Sequence, residues 1–213
     1  MIRCDLHIHS MYSPDSKTTP EQIISRCKET GIDCIAVTDH NTIKGSIDLK
    51  RLAPFKVIVS SEIHTRDGEV IGYFLSEEIP GKLPALETVK LIKQQGGLVC
   101  VPHPFDRLRG SAIERSALDE ILHEVDIIEI FNARSFYRRF NTMARRFALQ
   151  HKLPASAGSD AHTPDEIGTT YVEMPDFDGK DGFLESLAHG RIVGKSSSPL
   201  VHLNSTFARI RKV

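Results

Sequence analysis

Ten histidines in 213 residues are the most unusual feature of this sequence, and six of them stand at or near the ends of short apolar runs. His7 and His9 belong to an alternating segment with Asp5, so a β-strand would place all three side chains on one face. Polar side chains on the inward face of a buried strand are costly unless something satisfies them. A metal ion would do so for two imidazoles at this spacing, as would hydrogen bonds between histidines, and the pair alone leaves both interpretations open.

The pattern recurs at the ends of four later apolar runs. These groups are Asp39 with His40, Glu62 with His64, His103 between two prolines, and Asp160 with His162. In β/α architectures the carboxyl ends of parallel strands meet at one face, so at least seven nitrogen and oxygen ligands would converge there. That number exceeds what one tetrahedral ion binds, and no cysteine belongs to the set. The spacing therefore predicts two or three divalent ions such as Zn, Mn or Fe.

Short apolar runs alternate with amphipathic stretches along the chain, which predicts alternating strands and helices. Strands are predicted over residues 2–9, 34–38, 56–63, 98–101, 126–131, 154–157 and 170–174. Helices are predicted over residues 19–30, 42–52, 84–95, 111–124, 136–151 and 180–189. Repeated β/α units of this length predict one α/β domain over residues 1–213, with a mainly parallel sheet that is either open or closed into a barrel.

Composition and charge exclude several classes of protein. With 27 Lys plus Arg against 28 Asp plus Glu, the chain is nearly neutral, so its whole surface is not expected to coat nucleic acid or an anionic membrane. A membrane span needs about 18 consecutive apolar residues, and no apolar run in the sequence approaches that length. Residues 1–10 do not resemble a secretory signal. The cysteines form no CxxC pair and are expected to be buried free thiols of a cytoplasmic protein; they are Cys4, Cys27, Cys34 and Cys100.

Four segments, in this order, resemble the four motifs of the PHP (polymerase and histidinol phosphatase) family. They are DLHIHS at residues 5–10, TDHN at 38–41, PHP at 102–104 and GSDAH at 158–162. The resemblance implies a distorted (β/α)7 barrel with up to three metals, usually Zn, Mn or Fe, at the carboxyl ends of its strands. It also implies a metal-dependent phosphoesterase, since family members include histidinol-phosphate phosphatases, nucleotide phosphatases and exonucleases. Other members are domains attached to DNA polymerases.

Carried over position by position, the resemblance implies three metal-binding groups and two supporting carboxylates. The first metal would be held by His7, His9, Glu62 and Asp160. The second would be held by Glu62 and His103, and the third by Asp15, His40 and His162. Asp5 and Asp39 would accept hydrogen bonds from the imidazoles and fix their tautomers. Without the resemblance, a turn residue after Pro14 remains the alternative interpretation of Asp15.

One position departs from the family pattern. Many members place a histidine just before an apolar-apolar-Gly run on the strand that follows the bridging glutamate, whereas this chain has Glu69 there. A four-residue loop over residues 65–68 would set Glu69 opposite His64 and close to Glu62. We therefore expect Glu69 to complete the shell of the second metal, with His64 as a support or a substrate contact. The alternative is that Glu69 is a solvated hairpin residue.

Basic residues near the strand ends are candidates for binding substrate. Arg107 and Arg109 follow His103 directly and would form a bidentate phosphate clamp, with Asn132 and Arg134 as further contacts on the same face. The helix predicted next carries an apolar stripe and a basic face. The stripe is Phe136, Phe140, Met143 and Phe147. The basic face, Arg138, Arg139, Arg145 and Arg146, is either simply solvated or a ridge that guides a polynucleotide toward the metals.

The expected chemistry is hydrolysis of a phosphate ester by a hydroxide that bridges two metals, which requires no protein nucleophile. The leading substrate class is a nucleotide or another small phosphorylated metabolite. An exonuclease acting on short RNA or DNA would use the same centre. A non-catalytic metal-stabilised module would be expected to have lost ligands, and an amidohydrolase-like enzyme would want a metal-bridging lysine where His103 stands. The sequence leaves the substrate, the metal and the oligomeric state open.

Overall fold

One nine-stranded sheet organises residues 1–195, the part of the chain that this computed structural model describes. Its strands are β1 Ile2–Ile8, β2 Cys34–Val37, β3 Lys56–Thr65, β4 Gly68–Tyr73, β5 Leu98–Val101, β6 Ile127–Asn132, β7 Ala155–Gly158, β8 Thr170–Met174 and β9 Arg191–Gly194. The order is β7-β6-β5-β4-β3-β2-β1-β8-β9. The sheet nearly closes into a barrel, because Asp160 N donates to His7 O and His9 N donates to Ala161 O just beyond the end of β7.

Six α-helices in the described part of the chain pack on this sheet. They are α1 Pro20–Thr30, α2 Lys44–Leu52, α3 Ala85–Gln94, α4 Arg115–Ile121, α5 Arg138–His151 and α6 Gly179–Ala188, with short 3-10 turns at Leu122–Glu124 and Pro164–Glu166. Thr19 and Gln22 form a capping box at the start of α1, and Gly31 ends that helix with a φ of 68°. Among residues 1–195, no helix is both long and apolar enough to cross a membrane.

The strand directions decide which residues can meet at the mouth of the barrel. β1, β2 and β3 run parallel to one another, as do β5, β6 and β7, whereas β4 runs antiparallel to both β3 and β5. The carboxyl ends of the parallel strands therefore share one edge with the amino end of β4. The α/β barrel is as predicted, although the β3–β4 hairpin replaces one β/α unit. Strand β9, which was not predicted, pairs with β8, and β8 pairs antiparallel with β1.

Apolar side chains fill the barrel and the layer between sheet and helices. Cys34 and Ala36 of β2 belong to an inner cluster with Ile71 and Cys100, whereas Ile35 and Val37 pack outward against α1 and α2. The apolar stripe of α5 differs from the prediction: Phe140 and Phe147 are buried, but Phe136 and Met143 are 40% and 45% exposed. Their places are taken by Ala144 and Ala148, because the helix lies close enough to the sheet to need small residues there.

A β-bulge in β1 changes which of its residues face inward. Asp5 pairs with Ile35 and Ile8 pairs with Val37, so β1 has one residue more than β2 between these two points. Cys4 and Leu6 consequently belong to the inner cluster, whereas Ile8 packs in the outer layer. The prediction that Asp5 shares a face with His7 and His9 is therefore wrong, since strict alternation holds only in a strand without a bulge.

The four cysteines lie buried as free thiols. Of the histidines placed outside the motifs, His123 and His189 lie on the surface and His151 is half-buried, whereas His202 lies outside the described residues. The single-domain prediction for residues 1–213 stays a prediction.

Candidate metal centre

The predicted ligands gather at the mouth of the barrel. Five of them lie at or just after the carboxyl ends of parallel strands: His7 and His9 at the end of β1, His40 after β2, and Asp160 and His162 after β7. His103 likewise follows β5. Glu62 lies within β3, and Glu69 is the second residue of β4. Asp15 reaches the same place from the loop between β1 and α1. All of these are buried except His40, which is half-buried. The convergence of strand ends thus brings nine potential ligands to one place; that they bind metal stays a prediction.

The first group consists of two imidazole nitrogens that each lie near two carboxylate oxygens. His7 Nε2 lies 3.2 Å from His9 Nε2, 3.4 Å from Glu62 Oε2 and 3.6 Å from Asp160 Oδ1. His9 Nε2 lies 3.4 Å from the same Glu62 oxygen and 3.3 Å from the same Asp160 oxygen. Donor atoms about 2.0–2.1 Å from a tetrahedral zinc ion are themselves about 3.3 Å apart, so the separations among His7, His9 and Asp160 suit one ion. Glu62 Oε2 lies beside both imidazoles as the fourth member of the group.

Glu62 stands between this group and the next. Its Oε2 faces His7 and His9, whereas its Oε1 lies 3.1 Å from His103 Nε2. Glu69 Oε2 lies 3.5 Å from that same His103 nitrogen. A carboxylate whose two oxygens face different clusters has the geometry of a bridge between two ions.

A third group is centred on Asp15. Its Oδ2 lies 3.3 Å from His40 Nε2 and 3.4 Å from His162 Nε2. Ser13 Oγ donates to the other oxygen of Asp15 at 2.9 Å and fixes the carboxylate in this orientation. Asp15 is therefore a buried member of the cluster, and the alternative interpretation as a plain turn residue is not needed.

The β3–β4 hairpin places Glu69 directly opposite His64, as the sequence predicted. The predicted four-residue loop is wrong, because Thr65 pairs with Gly68 and only Arg66 and Asp67 form the turn. The Glu69 side chain is only 4% exposed, whereas that of His64 is 38% exposed, and His64 Nδ1 lies 2.9 Å from Glu69 Oε1. The His64 ring also stacks on His40, with 4.3 Å between ring centroids. Glu69 is thus no solvated hairpin residue, and His64 supports it from the solvent side.

Two of the candidate ligands have unfavourable backbone conformations. His103 has a φ of 29° and Asp160 a φ of 53°, in the left-handed region that non-glycine residues rarely adopt. Each such residue costs on the order of 1–3 kcal/mol, and positions of this kind concentrate at functional sites. Next to Asp160, a Cβ at Gly158 would lie 2.2 Å from the Cβ of His7, so only glycine permits this close approach of β7 to β1.

Glu129 is the supporting residue that the sequence analysis missed. It is buried in β6, and its Oε1 lies 3.0 Å from His7 Nδ1. Its Oε2 accepts hydrogen bonds from the backbone N of His103 at 2.8 Å and from Asn132 Nδ2 at 3.0 Å. Glu129 thereby fixes the ring of one candidate ligand and the strained backbone of another. The sequence signal that could have identified Glu129 is its position as the single charged residue in the apolar run 127–131.

Asp5 and Asp39 do not have the predicted role, because neither has a hydrogen bond to an imidazole among the described residues. Asp5 accepts from Ser159 N and Oγ and from Gly168 N, since the bulge turns it away from the ligand face. Asp39 accepts from Ser10 N and Oγ, both at 2.6 Å. Both carboxylates therefore hold the loops that carry ligands, rather than the ligands themselves.

The predicted arginine clamp is wrong as a pair. Arg107 is exposed and is not among the residues that line the cavity, whereas Arg109 lines it and donates to Asp160 Oδ2 at 2.5 Å and to Asn132 Oδ1 at 2.9 Å. The loop makes a tight turn here, with Arg109 N donating to Asp106 O at 3.1 Å, and the two arginines do not both line the cavity. Asn132 is buried among Glu129, Asp160 and Arg109, so it connects these groups instead of facing substrate.

Charges inside the cluster keep its carboxylates ionised. At His7 and His40 burial is outweighed by nearby carboxylates, which raise the pKa of His7 well above its usual range and that of His40 to about 9, so metal binding must displace protons from both. Burial raises the pKa of Asp160, but Arg109 and His7 outweigh burial and hold that pKa well below its usual range. For Glu62, burial is likewise outweighed by His7 and His103, and its pKa is also well below its usual range. Burial, with the nearby His162, lowers the pKa of His9 to about 4. Ionised carboxylates and a neutral imidazole are the protonation states that bind metal.

The cluster forms the floor of a cavity of about 410 Å³. Arg109 and Arg134 stand in its wall, and Leu108 and Phe136, 55% and 40% exposed, stand at its rim. Arg134 Nε lies 3.6 Å from Glu166 Oε1, and its Nη1 donates to Asp160 O at 3.4 Å. A small substrate can therefore reach the candidate ligands past two apolar side chains and two guanidinium groups.

The donor set itself fits divalent metal ions. Five imidazoles and four carboxylates are packed together. Considering residues 1–195, the Nδ1 atoms of three of these imidazoles are buried without a hydrogen-bond partner, those of His9, His40 and His103. Within residues 1–195, four groups of side chains have donor atoms that all lie within 4.8 Å of one another. The largest group is His9, Asp15, His40 and His162. The three smaller groups are His7, Glu62 and His103, then His7, His9 and Asp160, and finally His40, Glu69 and the neighbouring His64. Without cations, so many buried carboxylates would be costly, because several of them would share few compensating charges.

Comparisons with known proteins agree with the fold. The profile of the PHP domain family matches residues 5–139, and a profile described as PHP-associated matches residues 138–192. The uncharacterized protein MJ1587 of Methanocaldococcus jannaschii is 41% identical over 146 residues, which are 62% of this chain and 82% of that protein. A second protein of that organism, MJ0417, is 33% identical over 176 residues, or 81% of this chain and 70% of the relative.

Solved structures share the fold at low sequence identity. A two-domain protein from Bacteroides vulgatus, described as containing a PHP-like metal-dependent phosphoesterase, has a TM-score of 0.71 and 20% identity over 91% of this chain and 65% of its own. Endonuclease Q, solved with a 27-mer duplex bearing an abasic lesion, has a TM-score of 0.63 and 17% identity over 88% of this chain and 56% of its own. This chain spans less than two thirds of the length of each of these two proteins.

The α/β barrel is the fold that this chain shares with the PHP-like metal-dependent phosphoesterase, and its strand ends hold a cavity lined by histidines and carboxylates. The matching profile covers more than half of the sequence, and this chain belongs to the PHP family.

Proposed function

We propose that this protein is a phosphatase that uses two or three divalent ions to hydrolyse a nucleotide or another small phosphorylated metabolite. The observation that carries the proposal is that His7 Nε2 and His9 Nε2 lie 3.2 Å apart at the floor of the cavity, each of them 3.3–3.6 Å from one oxygen of Glu62 and one oxygen of Asp160. Zn, Mn and Fe each suit this mixture of imidazoles and carboxylates.

The candidate ligands divide into three sites. His7, His9, Glu62 and Asp160 would hold the first ion. Glu62, Glu69 and His103 would hold the second, and Asp15, His40 and His162 would hold the third. Bound divalent ions supply Lewis acidity, which polarises a phosphoryl group and lowers the pKa of water.

The chain's own residues would then orient the substrate. Four ionised carboxylates in the cavity floor repel a phosphate dianion, so binding depends on the cations that neutralise them and on the two guanidinium groups in the wall. Arg109 and Arg134 would donate hydrogen bonds to the non-bridging phosphate oxygens. Leu108 and Phe136 would contact the organic part of the substrate at the rim. His64, on the solvent side of Glu69, is placed to donate a proton to the leaving oxygen.

A second candidate function is an exonuclease on short RNA or DNA. The specific observation in its favour is the exposed basic face of α5, which begins beside the cavity. The fold that this chain shares with endonuclease Q is compatible with such a substrate.

The test is purification without added metal, elemental analysis, and turnover on a panel of phosphomonoesters, nucleotides and short oligonucleotides. We expect two to three metal equivalents per chain and hydrolysis of at least one phosphoester. The Glu62→Gln variant should lose metal and activity together, whereas Glu173→Gln, a change at a carboxylate remote from the cavity, should alter neither. A folded protein with less than half an equivalent of transition metal, inactive on the whole panel, would refute the proposal.

A further inference from the structure

The segment from Ile130 to Ser159 has a charge distribution unlike the rest of the chain. It contains six Lys and Arg residues and no Asp or Glu. The remainder of the chain carries 21 Lys and Arg against 28 Asp and Glu, so a nearly neutral total conceals a strong local excess of positive charge. Such an asymmetry indicates an anionic partner for this part of the surface.

The basic residues on and just after α5 differ from those of the other helices in having no ion pairs in the part of the chain that the structure describes. We name Arg138, Arg139, Arg145, Arg146 and Lys152 the α5 basic surface; all five are exposed. Within residues 1–195, no carboxylate lies within ion-pair distance of any of them. Other helices pair their arginines locally, as Arg51 does with Asp48 and Arg115 with Asp119. Pairing is therefore the rule on this protein's helices, and α5 departs from it.

The packing of α5 fixes the direction in which these arginines point. Phe140, Ala144 and Phe147 bury one side of the helix, so the arginines project from the opposite side. Arg138 and Arg145 are seven residues apart, two turns or about 10.5 Å along the axis, and Arg139 and Arg146 form a parallel row. Arg139 is further held over the rings of Tyr137 and Phe140, 4.9 and 5.0 Å from their centroids.

The α5 basic surface is continuous with the candidate metal cavity. Arg134 and Phe136 line that cavity just before α5 begins. Arg138 and Arg145 line a neighbouring depression of about 430 Å³, and Arg145 and Lys152 line the next, of about 600 Å³, together with Arg191. Tyr137, 54% exposed, lies between the cavity and the first arginines. Positively charged side chains thus extend from the cavity along the whole length of α5.

We infer that the α5 basic surface binds the phosphate backbone of a single-stranded nucleic acid whose terminal nucleotide lies in the metal cavity. The inference rests on the proposed phosphoester hydrolysis and favours the second candidate, since it makes a nucleic acid the substrate. A polynucleotide presents one phosphate to the cavity and further phosphates at regular intervals along the strand, as the rows of arginines on α5 require. Phe136 and Tyr137 would stack on the first bases, as aromatic side chains do in proteins that bind single strands without sequence preference.

The test compares a charge-reversed surface with a matched control. The R138E/R145E variant removes the row nearest the cavity, and R51E/K90E makes the same change of net charge on exposed positions of α2 and α3. Fluorescence anisotropy with the metal-loaded proteins and a labelled 12-nucleotide phosphorothioate oligothymidylate measures binding without turnover. Vesicles containing 30% phosphatidylserine test the other anionic partner that exposed arginines could bind.

We expect R138E/R145E to weaken oligonucleotide binding at least tenfold, while R51E/K90E stays within twofold of the parent. The slope of log K against log salt should fall by about 0.7 for each lost phosphate contact. Turnover of the best small phosphomonoester should change less than twofold in both variants.

Oligonucleotide affinity equal to that of the parent in R138E/R145E would overturn the inference, as would binding to vesicles with none to the oligonucleotide. If R138E/R145E loses binding but the parent hydrolyses no phosphoester, the surface is correct and the proposed function has failed. If small esters are hydrolysed and the oligonucleotide is not bound, the proposed function stands and this inference is refuted.

Discussion

Glu129 Oε1 lies 3.0 Å from His7 Nδ1, on the side of the imidazole opposite the candidate metal site. This contact holds the ring so that Nε2 faces Glu62 and Asp160. The same carboxylate accepts a hydrogen bond from the backbone of His103, so it supports two ligands from two different strands. Carboxylates in this position orient metal-binding imidazoles and raise their basicity.

We expect Glu129→Gln to lower metal affinity about 10- to 100-fold, the usual effect of losing such a support. An amide can still accept from the His103 backbone, so the fold should persist. The measurement is titration of chelator-treated protein with Zn and Mn, followed by calorimetry, with circular dichroism as the check on folding. Glu173→Gln serves as the control, and equal metal affinity in Glu129→Gln and the parent would show that this contact does not tune the site.

Glu69→Gln should keep the fold but lose up to one metal equivalent and slow hydrolysis at least tenfold. The reason is that Glu69 is a buried carboxylate within 3.5 Å of His103 Nε2, in the place where a ligand to the second ion is expected. Elemental analysis and steady-state kinetics measure the two effects. Glu69→His should restore part of both, because imidazole is an alternative ligand. Parent-like metal content and turnover in Glu69→Gln would make His64 the next candidate.

Arg109 and Arg107 should now behave differently from each other. Arg109→Ala removes a guanidinium from the cavity wall, and we expect kcat/KM to fall by an amount equivalent to about 1–3 kcal/mol, the range for a hydrogen bond to a charged group. Arg107→Ala changes an exposed side chain and should leave kinetics unaltered. The measurement is kcat/KM on the best substrate for both variants. An equal loss of kcat/KM in the two would support the original prediction that both arginines bind phosphate.

Removal of metal should destabilise the protein. Ions that bind only the folded state stabilise it by about 2.7 kcal/mol when their concentration is 100 times the dissociation constant. The buried carboxylates add to the effect, because they repel one another when the ions are removed. Thermal unfolding before and after treatment with a chelator measures the change, and readdition of Zn or Mn should reverse it. An unchanged Tm after the removal of all metal would contradict the assignment of the cluster as a metal centre.

The positions of most candidate ligands could be predicted because they follow from strand ends and spacing, whereas Asp15, in the loop between β1 and α1, came only from the family resemblance. Six of the nine strands lie parallel to a neighbour in the order expected of β/α units, and His40 and His103 fall just after strands. Glu69 was accessible from hairpin register, since pairing parity places it opposite His64.

Other features depend on tertiary contacts that carry no periodic signal. The bulge in β1 arises from the pairing of Asp5 with Ile35 and Ile8 with Val37, and it alone decides that Asp5 faces away from the ligands. Glu129 stands in an apolar run without a histidine nearby in sequence, and its partners come from 122 and 26 residues away. The split between Arg107 and Arg109 follows from the path of a loop, which spacing does not specify.

The β3–β4 hairpin connects the candidate metal cluster to α3 and to the segment before α4 by hydrogen bonds. Ser111 O accepts from Glu69 N, and Asp67 at the hairpin tip accepts from Ala85 N at the start of α3 and from Glu114 N just before α4. The same segment that anchors the tip continues directly from Arg109 and Gly110 in the cavity wall. A displacement of α3 or α4 would therefore move one ligand and one phosphate-binding arginine together, with every other member of the cluster left in place on its own strand.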